Sequence, residues 1–165
     1  MNEVNGHRQK KNDRSGSLFA VVILFALSGC SSVHRPEPPA AVFPSGAEFR
    51  LEIAADDASR ARGYMFREHV AEDEGMLFVF DVPERHAFWM RNCKVNLDII
   101  WIDQGLRVVE IAHDQAPCPT EGRCPNIFPM RTASYVLEVA GGTSRREGLG
   151  LGDPVTLYLE QTNGN

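Results

Sequence analysis

The chain has 165 residues, a formal charge of −5 from 17 Lys/Arg against 22 Asp/Glu, and four cysteines. An acidic chain lacks the basic footprint that nucleic-acid binding needs, so no nucleic-acid partner is expected. The length suits one domain around a single core.

At the N-terminus, Arg8, Lys10, Lys11 and Arg14 precede an apolar run that starts near Leu18 and ends at Leu27-Ser28-Gly29-Cys30. A basic segment, a short apolar core and a small-residue site have the form of an export signal. A transmembrane anchor is the competing reading. Residues 18–29 are too few for it, since a spanning helix needs about 20, and no charged stop follows. Because the run ends on a cysteine, it resembles the bacterial lipoprotein signal, in which Cys30 becomes the first mature residue and carries the lipid. Acyl chains would hold the domain on a membrane surface. Ser31 follows the cysteine, which by analogy favours the outer membrane, facing the periplasm, in a host with two membranes. The expected layout is a signal over residues 1–29, a lipidated tether over 30–47 and one β-rich domain over 48–161. Pro36, Pro38, Pro39 and Pro44 make the tether extended.

Phe49, Leu51 and Ile53 alternate with Glu48, Arg50 and Glu52, the period-two pattern of a half-buried strand. Asp56-Asp57 offer an N-cap to a short helix over 58–62, which Gly63 ends or bends. Met76 to Phe80 is a continuous apolar run, as in a strand covered on both faces. Further strands are expected over 87–90, 97–102, 106–112, 134–139 and 155–160, with a helical turn over 144–147. Turns at 81–84, 103–105 and 152–154 separate some of them. The expected fold is mostly β with one or two short helices, a compact antiparallel sandwich or partly open barrel.

Cys118 and Cys124 flank a Pro/Gly-rich loop, and outside the cytoplasm such a pair is expected to be a disulfide. A metal site with His113 and Asp114 is the alternative, but Cys-x5-Cys is not a standard zinc spacing. Cys93 remains, most simply as a buried inert thiol. No metal or other cofactor is expected. Met65, Met76, Met90 and Met130 with His86 could suit Cu(I), but core packing explains scattered methionines better.

Several segments together resemble one prokaryotic family. They are Arg62-Gly63-Tyr64-Met65-Phe66-Arg67, Gly75 to Phe80, Phe88-Trp89-Met90-Arg91-Asn92, Leu97 to Asp103, Tyr135-Val136-Leu137-Glu138 and Gly152-Asp153. The chain is similar over about residues 48–160 to domain of unknown function 192. The resemblance implies a compact β-rich fold, often exported or membrane-attached, and no settled activity. Cys93 stands where that pattern usually has Thr, and Asn96 where it usually has Pro.

Trp89, Asn92 and Asp98 lie within ten residues, and Arg62 and Arg67 could face them. An aromatic plate beside Asn, Asp and Arg suits a sugar or another polar ligand. Alternatively, Trp89 belongs to the core and Asp98 pairs with Arg62 or Arg67 to fix the fold. A hydrolase would need two carboxyls about 5–9.5 Å apart. Asp98, Asp103, Glu110 and Glu138 are available, and nothing in the pattern selects a pair. No Gly-x-Ser-x-Gly turn is present, and Cys93 with His86 or His113 makes only an incidental nucleophile and base. The expected role is an envelope binding or accessory module for a polar ligand such as a glycan. A carboxylate-dependent hydrolase and a structural partner in an envelope protein assembly are the alternatives.

Overall fold

A computed structural model of the chain describes residues 36–119 and 121–159. The expected signal over 1–29 and the lipidation site Cys30 lie outside the described residues. The elements in chain order are β1 (Ala40–Val42), β2 (Glu48–Ala54), α1 (Asp57–Arg62), β3 (Glu74–Glu84), β4 (Leu97–Ile102), β5 (Val108–Gln115), β6 (Ala133–Ala140), α2 (Thr143–Arg146) and β7 (Thr156–Tyr158). They form one seven-stranded sheet in the order β5-β4-β6-β3-β2-β1-β7. Its two ends meet through an isolated bridge between Arg107 and Pro154. There Val108 N donates to Asp153 O at 3.0 Å, and Val155 N to Leu106 O at 2.9 Å. The sheet therefore curls into a partly open barrel.

Four details differ from the sequence pattern. The turn expected over 81–84 is instead the last part of β3, which runs on to Glu84. The sheet starts earlier, because residues 40–42 of the expected tether pair with both β2 and β7. Ala40, Ala41 and Phe43 are buried there, so their apolar surface holds the segment to the barrel. The segment 87–90 is not a strand; it makes only one bridge, Phe88 to Ile127. The pairing of β2 with β3 is parallel, whereas every other neighbouring pair is antiparallel. A parallel pair needs a crossover, and α1 supplies it. Asp56 caps α1 as its composition suggests, accepting from Ala58 N at 3.0 Å and Ser59 N at 2.9 Å.

Both sheet faces are covered, which is why β4 reads as an unbroken buried run. The concave face packs Phe49, Leu51, Leu77, Ile100, Leu137 and Val139 into one core. The outer face carries Met76, Phe78, Ile99, Trp101 and Val136 under the loops that follow α1, β3 and β5. The disulfide Cys118–Cys124 closes the last of these loops.

Asp98 is fully buried at the start of β4. Its Oδ1 accepts from Asp114 N at 2.6 Å and Gly142 N at 2.9 Å. Its Oδ2 accepts from Ser144 N at 2.6 Å and Ser144 Oγ at 2.5 Å. One carboxylate thus joins the end of β5 to the turn between β6 and α2. Gly141 in that turn has no room for a side chain, since a Cβ would lie 2.4 Å from Asp114 Oδ1 and 2.7 Å from Asn96 Cβ. Asp98→Ala would leave three N–H groups and a hydroxyl without their acceptor, the two on Ser144 buried and the other two part-buried; a buried one costs about 1–3 kcal/mol when unpaired. With water recovering part of that, urea unfolding should show a loss of roughly 3–5 kcal/mol. A loss below about 1 kcal/mol would contradict the structural role given to Asp98.

Candidate functional site

The outer face of the sheet carries a cleft of about 250 Å³. Its floor is Glu138 on β6 with Phe78 on β3, and its walls include Arg62, Tyr64, Trp89 and Cys93. That volume falls just below the ~300–1,000 Å³ usual for drug-sized ligands, so it suits a single small unit.

Each wall has an identifiable support. Trp101 is fully buried on β4, and its indole Nε1 donates to His86 O at 2.9 Å. Phe88 sits edge-on to both Phe78 and Trp101, at centroid distances of 4.8 and 5.9 Å. These contacts, with the bridge to Ile127, hold the non-strand segment that carries Trp89. The opposite wall is the end of α1. Gly63 closes that helix with φ of 47°, a left-handed conformation that favours glycine. A Cβ there would lie 3.3 Å from Phe78 Cζ and 3.6 Å from Glu138 Oε2. The absent side chain lets the backbone pass close over the floor.

Glu138 is the unusual residue. It is only 4 % exposed, and its Oε2 is buried with no hydrogen-bond partner among the described residues. Burial pushes its pKa from 4.5 up to about 8, because an ionised carboxylate is poorly solvated there. Burial, with Glu138 nearby, pushes the Cys93 thiol up to about 11, so it stays protonated and unreactive at neutral pH. Burial and the neighbouring carboxylates also raise the Tyr64 phenol.

Of the five expected ligand residues, only Arg62 and Trp89 line this cleft. Trp89 is 39 % exposed, with the Arg91 guanidinium 4.5 Å from its ring centroid. Arg67 pairs instead with Glu52, lies 4.9 Å over the Tyr64 ring, and faces a neighbouring groove. The Arg67 hydrogen bond lowers the Glu52 pKa. Asn92 adopts φ of 57°, accepts from Phe66 N at 2.7 Å through its carbonyl, and lines a third groove beside the disulfide. Asp98 faces the concave side and pairs with backbone amides rather than with Arg62 or Arg67. Trp89 falls in the segment 87–90 that was expected as a strand and is not one, so no strand pairing brings it to Asp98.

Glu138 was one of four carboxylates that the sequence offered without ranking. The signal that selects it is a lone acid in the run Tyr135 to Ala140, on a strand covered on both faces. The buried Ser144 receives His113 Nδ1 at 2.7 Å and gives its own hydrogen to Asp98. Serine is thus the middle member and fully enclosed, unlike a nucleophile served by a histidine base. The methionines do not gather: Met76 and Met90 are core residues, while Met130 is 77 % exposed. Among the described residues, no group of three or more His, Cys, Asp or Glu side chains could hold a metal.

Comparison with protein families gives a match to DUF192, described as an uncharacterized ACR, over residues 40–157. The chain belongs to this family. Two solved structures are similar to this DUF192 chain. A protein of unknown function from Novosphingobium aromaticivorans DSM 12444 shares 35% identity at a TM-score of 0.62, over 71% of this chain and 81% of that one. A Sinorhizobium meliloti 1021 protein, described as "a putative transcription regulator", shares 29% identity at a TM-score of 0.64, over 72% and 90%. No curated protein matches the chain.

The raised Glu138 pKa has a stability consequence with a definite sign. Between pH 4.5 and about 8 the unfolded chain has released this proton while the folded DUF192 domain keeps it. The favourable contribution is therefore complete below pH 4.5 and lost as pH rises to about 8. Glu138→Gln cannot titrate. Relative to wild type it should gain about 3–5 kcal/mol between pH 4 and pH 9 in chemical denaturation. A wild-type-to-variant difference that stays flat across that range would mean Glu138 titrates normally.

Proposed function

We propose that this DUF192 protein is a binding or accessory module that holds a polar ligand, such as a glycan, in the cleft between Trp89 and Glu138. The observation that carries the reading is Glu138: a buried carboxyl whose Oε2 lacks a partner, lining an open cleft beside an exposed tryptophan. An unsatisfied buried polar group costs about 1–3 kcal/mol, which a ligand hydroxyl or amide would relieve. The indole supplies an apolar plate for a sugar ring, and neighbouring polar groups supply direction.

We place the module at the cell envelope, exported and held on a membrane through lipid on Cys30, in the outer membrane facing the periplasm where the host has two. The support is the basic and apolar pattern ending at Leu27-Ser28-Gly29-Cys30, together with the disulfide, which fits an oxidising compartment. Residues 31–39 then serve as the spacer, since the sheet begins at Ala40. Binding is favoured over hydrolysis. Asp98 has both oxygens occupied, and Asp57, the other acid lining the cleft, is tied to Arg60 at 2.6 Å.

The test is a thermal-shift titration of the purified full-length chain with peptidoglycan fragments. At 100 times the dissociation constant the ligand adds about 2.7 kcal/mol, roughly 10 °C in Tm for a domain of this size. Trp89→Ala should keep the unliganded Tm within a few degrees and weaken binding at least about tenfold, the loss of one aromatic stacking contact. An unchanged affinity in the folded variant would remove the basis of the proposal. A flat response, with protein co-purifying instead, would favour the structural partner in an envelope assembly.

A further inference from the structure

The charged groups around the cleft are unequally neutralised. Asp57 and Arg60 cancel each other through their ion pair. Arg60 is further held by the carbonyls of Ala55 and Val79. Arg62, in the last turn of α1, is exposed to the same cleft and makes no ion pair among the described residues. Glu138 faces it from the floor. The other titratable groups packed there are Tyr64, Cys93 and His86. Burial keeps the phenol and the thiol protonated at neutral pH. His86 stacks on Phe80 at 3.6 Å, and its Nε2 lies 3.1 Å from Val82 O. A carbonyl only accepts, so that nitrogen carries a hydrogen and is no acceptor for a ligand. On the rim, Arg91 places a further cation over the Trp89 ring.

While Glu138 keeps its proton, the cleft therefore presents a free guanidinium and no opposing negative charge beyond the Asp57–Arg60 pair. The chain as a whole is acidic, at −5. Charges farther away than about 8 Å are largely screened at physiological salt, so the local field decides. A cationic ligand would have to face Arg62 and ionise a desolvated carboxyl. An anionic ligand meets an available partner.

Resting on the glycan reading above, we infer that the ligand is an acidic sugar unit: its carboxylate pairs with Arg62, its ring lies against Trp89, and one of its oxygens accepts from the Glu138 carboxyl. Arg62 suits this role because its guanidinium can bind a carboxylate through two parallel hydrogen bonds. The cleft has room for one such unit. The arrangement also couples binding to a proton. A bound anion disfavours ionisation of Glu138, and an ionised Glu138 disfavours the anion, so affinity falls as pH rises past the point where Glu138 loses its proton.

N-acetylmuramic acid and N-acetylglucosamine differ by a carboxylate-bearing lactyl ether and make a matched pair of probes. Titrating each into the ¹⁵N-labelled full-length chain, with NMR shifts followed at pH 6 and pH 9, gives the affinities. The expected result is about tenfold tighter binding of the acidic sugar at pH 6, narrowing toward equality at pH 9. Arg62→Gln should abolish the preference at pH 6, bringing the two sugars to equal affinity. Equal wild-type affinities at pH 6, or a preference that survives Arg62→Gln, would overturn the inference and leave the glycan reading standing. Failure of both sugars to bind would overturn the inference together with the glycan reading.

Discussion

The pairing of β4 with β6 sets the two carboxyl groups that define this molecule. Asp98 lies opposite Val139, and Ile99 lies opposite Glu138. Cross-strand partners share a face and successive residues alternate, so the register sends Asp98 to the concave face and Glu138 to the outer one. A one-residue slip of β4 against β6 would turn β4 over and bring both acids to the same face. The concave side supplies Asp98 with three amides and a hydroxyl. The outer side leaves Glu138 Oε2 with none among the described residues. One acid is committed to architecture, and the other keeps an unpaired oxygen at the floor of the cleft.

The cleft depends on that sheet through a short chain of contacts. Trp101, on β4, holds the 86–90 segment through His86 O, and Phe88 fills the space between Trp101 and Phe78. Trp89 is thereby displayed on an irregular backbone that is fixed by its neighbours. On the other side Gly63 lets α1 end close above Phe78 and Glu138, which leaves Arg62 at the mouth. The crossover that makes β2 and β3 parallel is the same segment that supplies this wall. Among the described strands, the parallel pair β2–β3 thus brings its crossover to the cleft.

Much of the fold was legible because strand periodicity is a local property. The alternation of Phe49, Leu51 and Ile53, the apolar run of Met76 to Phe80 and the Asp56 cap each declared their element. Residues 87–90 misled for a physical reason: Phe88 and Met90 are packed, but against Trp101 and the disulfide loop rather than in a ladder. Residues 40–42 were hidden by the prolines around them, and only pairing with β2 and β7 makes them a strand. The site was less legible. Trp89 and Arg62 could be found as residue types beside a recognisable motif. Glu138 could not be ranked, since its distinction is the missing partner, and a missing partner is a property of the folded surroundings. Asp98 drew attention for its position near Trp89, yet the register turns it to the other face.

The proposed binding role rests on a Glu138 that keeps its proton at neutral pH at the floor of the cleft. The most direct measurement is the carboxyl ¹³C chemical shift of Glu138, followed by NMR across pH 3 to 10 in the labelled full-length chain. The midpoint should fall at about 8, against the ordinary value near 4.5. A midpoint near 4.5 would mean that the carboxyl is solvated and ionised, and would contradict the account.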